Sequence, residues 1–307
     1  MTNRKEFLKI LGLGTAALTL PGFNFNMDKK YIPNIGLQLY TIRHEIEKDF
    51  DGSMKKIADF GYIGIETYPL PENVTLEHAA KVFDDLGLKV FSMHYELPVT
   101  EKLKADVLKM ANAYKCDTMV YHGWPQDESI KSLDPQKDIN HWPKIEKYKN
   151  LDAIKHTVEV YNKAADSLKS DGIKLGLHNH WWEFEKSEDD VIPFYYLLKN
   201  LNPEIFFEID IYWAKTGGND PVKIVSDFGK RVPFLHVKDG PAVKGENTYD
   251  HVPIGDGSIN YPAIVKAEGE NIKWMIVEFD EYTGNIFEAL GKSYSYLIKN
   301  ELAMGKV

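Results

Sequence analysis

The chain has 307 residues, 43% of them hydrophobic, which admits two domains or one large α/β barrel and excludes a disordered chain. Lys and Arg number 37 against 46 Asp and Glu, and the net charge of −9 sets the chain against phosphate backbones and so against nucleic acid. One cysteine, Cys116, excludes an internal disulfide framework and a cysteine-built zinc site.

Residues 1–28 read as an export segment. Arg4, Lys5 and Lys9 precede an apolar run from Ile10 to Leu20, which is too short to cross a bilayer and suits a signal peptide. The stretch from Arg4 to Lys9 is similar to a twin-arginine signal with Lys5 in place of the second Arg, and no cysteine follows to carry a lipid anchor. This predicts a periplasmic or otherwise exported protein with no stable membrane anchor. If the segment is instead the first amphipathic helix of the domain, the protein is cytoplasmic.

From Ile35 onward, short apolar runs alternate with amphipathic helical stretches. The runs are residues 35–40, 62–68, 88–94, 117–122, 173–180, 204–210, 232–239 and 272–279, mostly 27 to 31 residues apart from start to start. Helical patterns lie between them at Ser53–Phe60, Leu76–Leu86 and Leu151–Leu168. Asp220 followed by Pro221 marks a helix start, Gly229 its end, and Pro262 opens a further short helix. Eight β-then-α units predict a single (β/α)8 TIM barrel over residues 29–307, rather than two domains. Two connections are long, residues 123–150 after strand four and 240–260 after strand seven, and both are candidate covers for a substrate.

In such a barrel, polar residues at the C-terminal strand ends point to chemistry. Five of the ten histidines stand there, namely His94, His122, His178, His180 and His236. A uniform scatter would place about one. Glu66, Asp210 and Glu278 join them. Ionisable groups gathered at one mouth need a cation or a substrate to offset their burial. His178, Asp210, His236 and Glu278 fall on strands five to eight, and mixed imidazole and carboxylate donors suit one divalent ion of the Mn, Mg, Co or Zn class. Trp124, Trp181, Trp182 and Trp213 follow strands four to six, where indole faces can stack on sugar C–H faces; about half are expected to pack between strand and helix instead.

The segments GLQLYTIR, GLHNHWWEF, EIDIYWA, LHVKDG, VPIGDGSI and VEFD, in that order over nearly all of residues 34–300, resemble the sugar phosphate isomerase/epimerase family. These are xylose-isomerase-like TIM barrels related to ketose 3-epimerases and inosose dehydratases. The resemblance implies one divalent ion held by Glu, Asp, His and Glu from strands five to eight. Asp210, His236 and Glu278 match the last three, whereas His178 stands where many relatives carry Glu. That departure argues against a symmetric two-glutamate epimerisation and makes Glu183 an alternative ligand or a substrate contact.

The implied chemistry is isomerisation or epimerisation of a sugar or keto-sugar through an enediolate, the alternative being elimination from a 3-keto-glycoside or inosose. Glu278 is the expected base, with His178 or His180 as the partner acid. Lys238 either stabilises an oxyanion or pairs with Asp210 or Glu278. Gln38, Glu66, His94, His122, Glu183, Trp181 and Trp213 are expected substrate contacts. No arginine stands at a strand end, and Asp256 within Gly255-Asp256-Gly257 would repel a phosphate, so a neutral carbohydrate is the expected partner. Apurinic-site endonucleases share the superfold, but their zinc site needs more histidines than are present here, one of them displaced by Trp213. A non-catalytic sugar-binding barrel is a further alternative, and a homo-oligomer is compatible with any of these readings.

Overall fold

Eight strands form a closed parallel barrel in sequence order, in a computed structural model that describes residues 31–124, 145–268 and 270–306. The expected export segment and most of the long connection after the fourth strand lie outside the described residues. The strands are β1 (Asn34–Gln38), β2 (Gly64–Thr67), β3 (Lys89–Tyr95), β4 (Thr118–Tyr121), β5 (Lys174–His178), β6 (Phe206–Asp210), β7 (Phe234–Val237) and β8 (Trp274–Val277). Each falls on one of the eight apolar runs, as expected for strands covered on both faces.

The described helices are α1 (Arg43–Lys48), α2 (Phe50–Phe60), α3 (Leu76–Leu86), α4 (Glu101–Tyr114), α5 (Leu151–Lys169), α6 (Pro193–Asn200), α7 (Ile211–Thr216), α8 (Pro221–Phe228), α9 (Tyr261–Glu268) and α10 (Ile286–Lys299). Their ends follow local chemistry. Asp220 accepts from the Val222 amide ahead of Pro221, and Thr75 accepts from the His78 amide at the start of α3. Gly87 ends α3 at φ 70°, where a side chain would be strained. Among the described residues, no helix is long and apolar enough to cross a membrane.

The barrel is plugged below its mouth. Phe91 and Trp274 stack at 4.0 Å and 11° beside Phe234, Val120 and Ile276. The strands make room for these rings by using glycine. A Cβ would lie 2.6 Å from the Phe91 ring at Gly36, 2.4 Å from Trp274 at Gly64 and 2.3 Å from Phe206 at Gly176. The plug leaves the upper barrel for polar side chains.

Register then sets the site. His178 pairs with Glu208 across β5 and β6, Asp210 with His236 across β6 and β7, and Gln38 with Glu66 across β1 and β2. The connection from β7 to α9 folds back over this end and is pinned by Asp239. Its carboxylate accepts from the amides of Gly240, Gly255 and Ile259. Tyr212 fixes the same segment, donating its hydroxyl to the Thr248 carbonyl and accepting from the Ala242 amide.

Candidate active site

Three layers of polar side chains rise from the plug to the barrel mouth. In the lowest, Gln38 donates to Glu66 at 2.8 Å, and both are fully buried. Glu66 in turn accepts from His236 Nε2 at 2.6 Å. Glu208, two residues before Asp210 on the same strand face, accepts on one oxygen from His94 Nε2 at 2.7 Å and His178 Nδ1 at 3.2 Å. His236 Nε2 lies 3.0 Å from that same oxygen. Burial lifts the Glu66 carboxyl to about 6, with the Glu208 charge adding to the effect. Burial would lift Glu208 too, but His236 and His94 hold it well below the usual carboxylate range.

The middle layer is the donor set read from the sequence. His178, Asp210, His236 and Glu278 are all buried, and each presents a ligand atom within 4.8 Å of the others. His236 Nδ1 lies 2.5 Å from Glu278 Oε2, and His178 Nε2 lies 4.0 Å from Asp210 Oδ2. Burial pushes His178 down to about 3, so it is a neutral imidazole with a lone pair to offer. Two imidazoles and two carboxylates at this spacing fit a divalent cation.

Lys238 runs through this layer. Its ammonium lies 2.6 Å from Asp210, 2.7 Å from Glu278 and 3.0 Å from Asp280. Burial would raise the Glu278 carboxyl, but Lys238 and His236 hold it well below the usual range. Asp280 shows the opposite balance, since burial overrides Lys238 and pushes its carboxyl up to about 7. Two carboxyls separated by one residue are thus driven apart.

Above lies a cavity of about 550 Å³. Of the sequence candidates, His94, His122, His178, His180, Trp124, Trp213 and Glu278 line it. Tyr40, Tyr68, Glu96, Tyr249, Asp280 and Glu281 complete the wall, and none of the described lining residues is Lys or Arg. Arg43, just behind the rim, is engaged by Glu281 at 2.7 Å and by the Asp280 carbonyl. His122 Nδ1 accepts from the Trp124 amide at 3.0 Å.

Other candidates sit off the wall. Gln38, Glu66 and Lys238 lie beneath the cavity, in the layers just described. Glu183 is 1% exposed, accepting from the His180 amide on one oxygen and from Trp182 Nε1 on the other. It is the brace of the turn after β5. Trp181 is fully buried against Trp213, and Trp182 stacks on His180 at 4.2 Å. So two of the four tryptophans reach the cavity and two pack.

Sequence reasoning missed Glu208, Asp280 and His251. The signal for the first two was present, because both sit two residues from a recognised strand-end carboxylate and so on the same face. His251 comes from the loop after β7, where no periodicity places it. It is buried beside Tyr212 and accepts on Nδ1 from the Asp280 amide. The Gly255-Asp256-Gly257 turn offers no phosphate cradle, since the Gly255 amide is already held by the Asp239 carboxylate at 2.9 Å.

Residues 54–297 match the family model of the xylose isomerase-like TIM barrel. Among solved structures, the chain is similar to a sugar phosphate isomerase/epimerase from Parabacteroides distasonis, with 25% identity and a TM-score of 0.68 over 88% of this chain and 94% of that one. An L-ribulose 3-epimerase shares 16% identity and a TM-score of 0.60 over 88% of this chain and 95% of its own. A probable 3-DHS dehydratase from Bacillus anthracis shares 14% identity and a TM-score of 0.61 over 86% and 98%, respectively. At those identities the last two show a common fold and nothing more. No curated protein matches the chain.

Proposed function

The chain belongs to the xylose isomerase-like TIM barrel family, and from that premise we propose that it is a divalent-metal-dependent isomerase or epimerase of an unphosphorylated sugar or keto-sugar. One observation carries the reading. Glu278 belongs both to the buried four-donor set and to the cavity wall, so a bound sugar meets a cation site and a carboxylate at one point.

His178, Asp210, His236 and Glu278 would hold the ion, which supplies Lewis acidity toward a carbonyl and its neighbouring hydroxyl. Glu278, kept ionised by Lys238 and His236, is the group placed to take the proton from the adjacent carbon. Asp280, whose carboxyl burial lifts to about 7, faces the cavity with a proton to return, and His180 faces it as an imidazole that burial keeps neutral. Asp280 leaves the same strand as Glu278, which favours return on the same face and isomerisation. His180 leaves β5, a separate wall, which favours return on the other face and epimerisation. Trp124, Trp213, Tyr40 and Tyr68 supply aromatic surface for sugar C–H faces, while His94 and His122 offer ring nitrogens to hydroxyls.

Charge supports an unphosphorylated substrate. Glu96, Glu278, Asp280 and Glu281 surround the cavity without a free arginine or lysine among the described lining residues, and a phosphate would meet like charge. A second reading, elimination from a 3-keto-glycoside or inosose, is favoured by the imidazole of His178 in place of a second carboxylate base.

The test is metal removal and return. Turnover of keto-sugars should be lost to a chelator, regained with Mn, and absent in Asp210→Asn under both conditions. Full turnover by metal-stripped Asp210→Ala would overturn the proposal.

A further inference from the structure

We propose that Glu208 is a positioning residue for the His178 imidazole of the donor set. Through one carboxylate oxygen it fixes which ring nitrogen of His178 faces the cation, while Glu66 holds Nε2 of His236. The inference rests on the metal reading above and adds to it a residue outside the donor set.

The geometry is specific. Glu208 is fully buried, and its Oε1 lies 3.2 Å from His178 Nδ1 and 3.0 Å from His236 Nε2. A carboxylate oxygen accepts, so His178 Nδ1 carries the hydrogen. His178 is then left with an unprotonated Nε2, the atom directed toward Asp210. His236 is engaged on both nitrogens by other carboxylates, Nε2 by Glu66 at 2.6 Å and Nδ1 by Glu278 at 2.5 Å. A ligand histidine normally gives its other N–H to such an outer carboxylate, which sets both tautomer and ring angle.

The fold explains the pairing. Strand β6 lies between β5 and β7, with Glu208 paired to His178 and Asp210 paired to His236. Two residues of one strand face thus supply a donor and the group that orients the neighbouring donor on β5. His94 secures the arrangement, its Nε2 lying 2.7 Å from the same oxygen. Glu66 accepts from His236 Nε2 at 2.6 Å and makes no hydrogen bond to His178, so it serves as an internal control for the His178 tautomer.

Long-range 15N–1H NMR of the metal-free wild type is the first measurement. It should show His178 as the Nδ1–H tautomer, and an Nε2–H tautomer would overturn the proposal. The second is Zn affinity by chelator competition, with folding checked by circular dichroism. Glu208→Gln should bind Zn about 10- to 100-fold more weakly than wild type. Glu66→Gln, which disturbs His236 instead, should leave the His178 tautomer unchanged. Equal affinity of Glu208→Gln and wild type would overturn the proposal. So would two ions per wild-type chain, because the second would occupy His94, His178, Glu208 and His236, which also lie within 4.8 Å of one another. If wild type binds no ion, the metal reading fails while the tautomer still decides the role of Glu208. If Glu208→Gln does not fold, the wild-type spectrum decides it alone.

Discussion

Lys238 holds its ammonium 2.6 Å from Asp210 Oδ2, with the two side chains 1% and 0% exposed. A buried ammonium at this point offsets the charge of Asp210, Glu278 and Asp280 at once. Removing one partner of such a set leaves uncompensated charge and costs about 3–5 kcal/mol. Lys238→Met should therefore melt well below wild type. Mn should raise its melting temperature more than it raises that of wild type, because the ion replaces part of the missing positive charge. Thermal unfolding with and without Mn checks both points, and an unchanged melting temperature contradicts them.

Glu183 supplies a pH signature. Burial lifts its carboxyl from an ordinary 4.5 to about 7, against the pull of Lys147. Between those values the native protein holds a proton that the unfolded chain has released, so stability falls as pH rises through that window. The slope from one such group is at most about 1.4 kcal/mol per pH unit. Glu183→Gln cannot titrate. The stability difference between wild type and Glu183→Gln, measured by urea unfolding, should shift against wild type from about pH 5 to about pH 7. A constant difference would show that Glu183 is ionised throughout.

Gly64 tests the plug. An added Cβ would lie 2.4 Å from Trp274 and 2.7 Å from Phe91, two rings locked against each other. Neither ring can move aside without disturbing the stack, so Gly64→Ala should lose about 1–3 kcal/mol of stability. Denaturant unfolding measures it, and a stability equal to wild type would mean the plug is looser than its packing indicates.

Phosphorylated sugars should be poor ligands. The cavity wall carries Glu96, Glu278 and Glu281 beside the raised carboxyl of Asp280, and the glycine turn after β7 spends its Gly255 amide on Asp239. One like-charge contact costs about 1 kcal/mol or more, so a ketose phosphate should bind about tenfold more weakly than the free ketose. Calorimetric titration of both ligands gives the ratio, and tighter binding of the phosphate would refute the charge argument.

Much of this was legible in the sequence because strands buried on both faces read as apolar runs, and strand-end polar residues stand out against them. His178, Asp210, His236 and Glu278 were visible for that reason, and the structure brings all four together. Glu208 was hidden by its position in mid-strand, where a charged residue inside FFEID reads as part of the apolar run until strand parity is applied. Tyr40 and Tyr68 were hidden differently. Which way a side chain turns after the last strand residue depends on the turn that follows, here a 3-10 turn from Leu39 to Ile42 after β1. The long excursion of residues 240–260 hid His251, since its return to the mouth is fixed by Asp239 and Tyr212, far away in the pattern.

The most direct test of proton transfer at a carbon next to a carbonyl is deuterium incorporation. Metal-loaded protein would be incubated in D2O with a panel of ketoses, inososes and 3-keto-glycosides, and the products read by NMR. At least one unphosphorylated sugar should gain deuterium at the carbon beside its carbonyl, and the exchange should vanish in Glu278→Gln and after chelation. Protein that binds its metal and its sugar yet exchanges no deuterium into any of them would contradict the assignment and leave a sugar-binding barrel in its place.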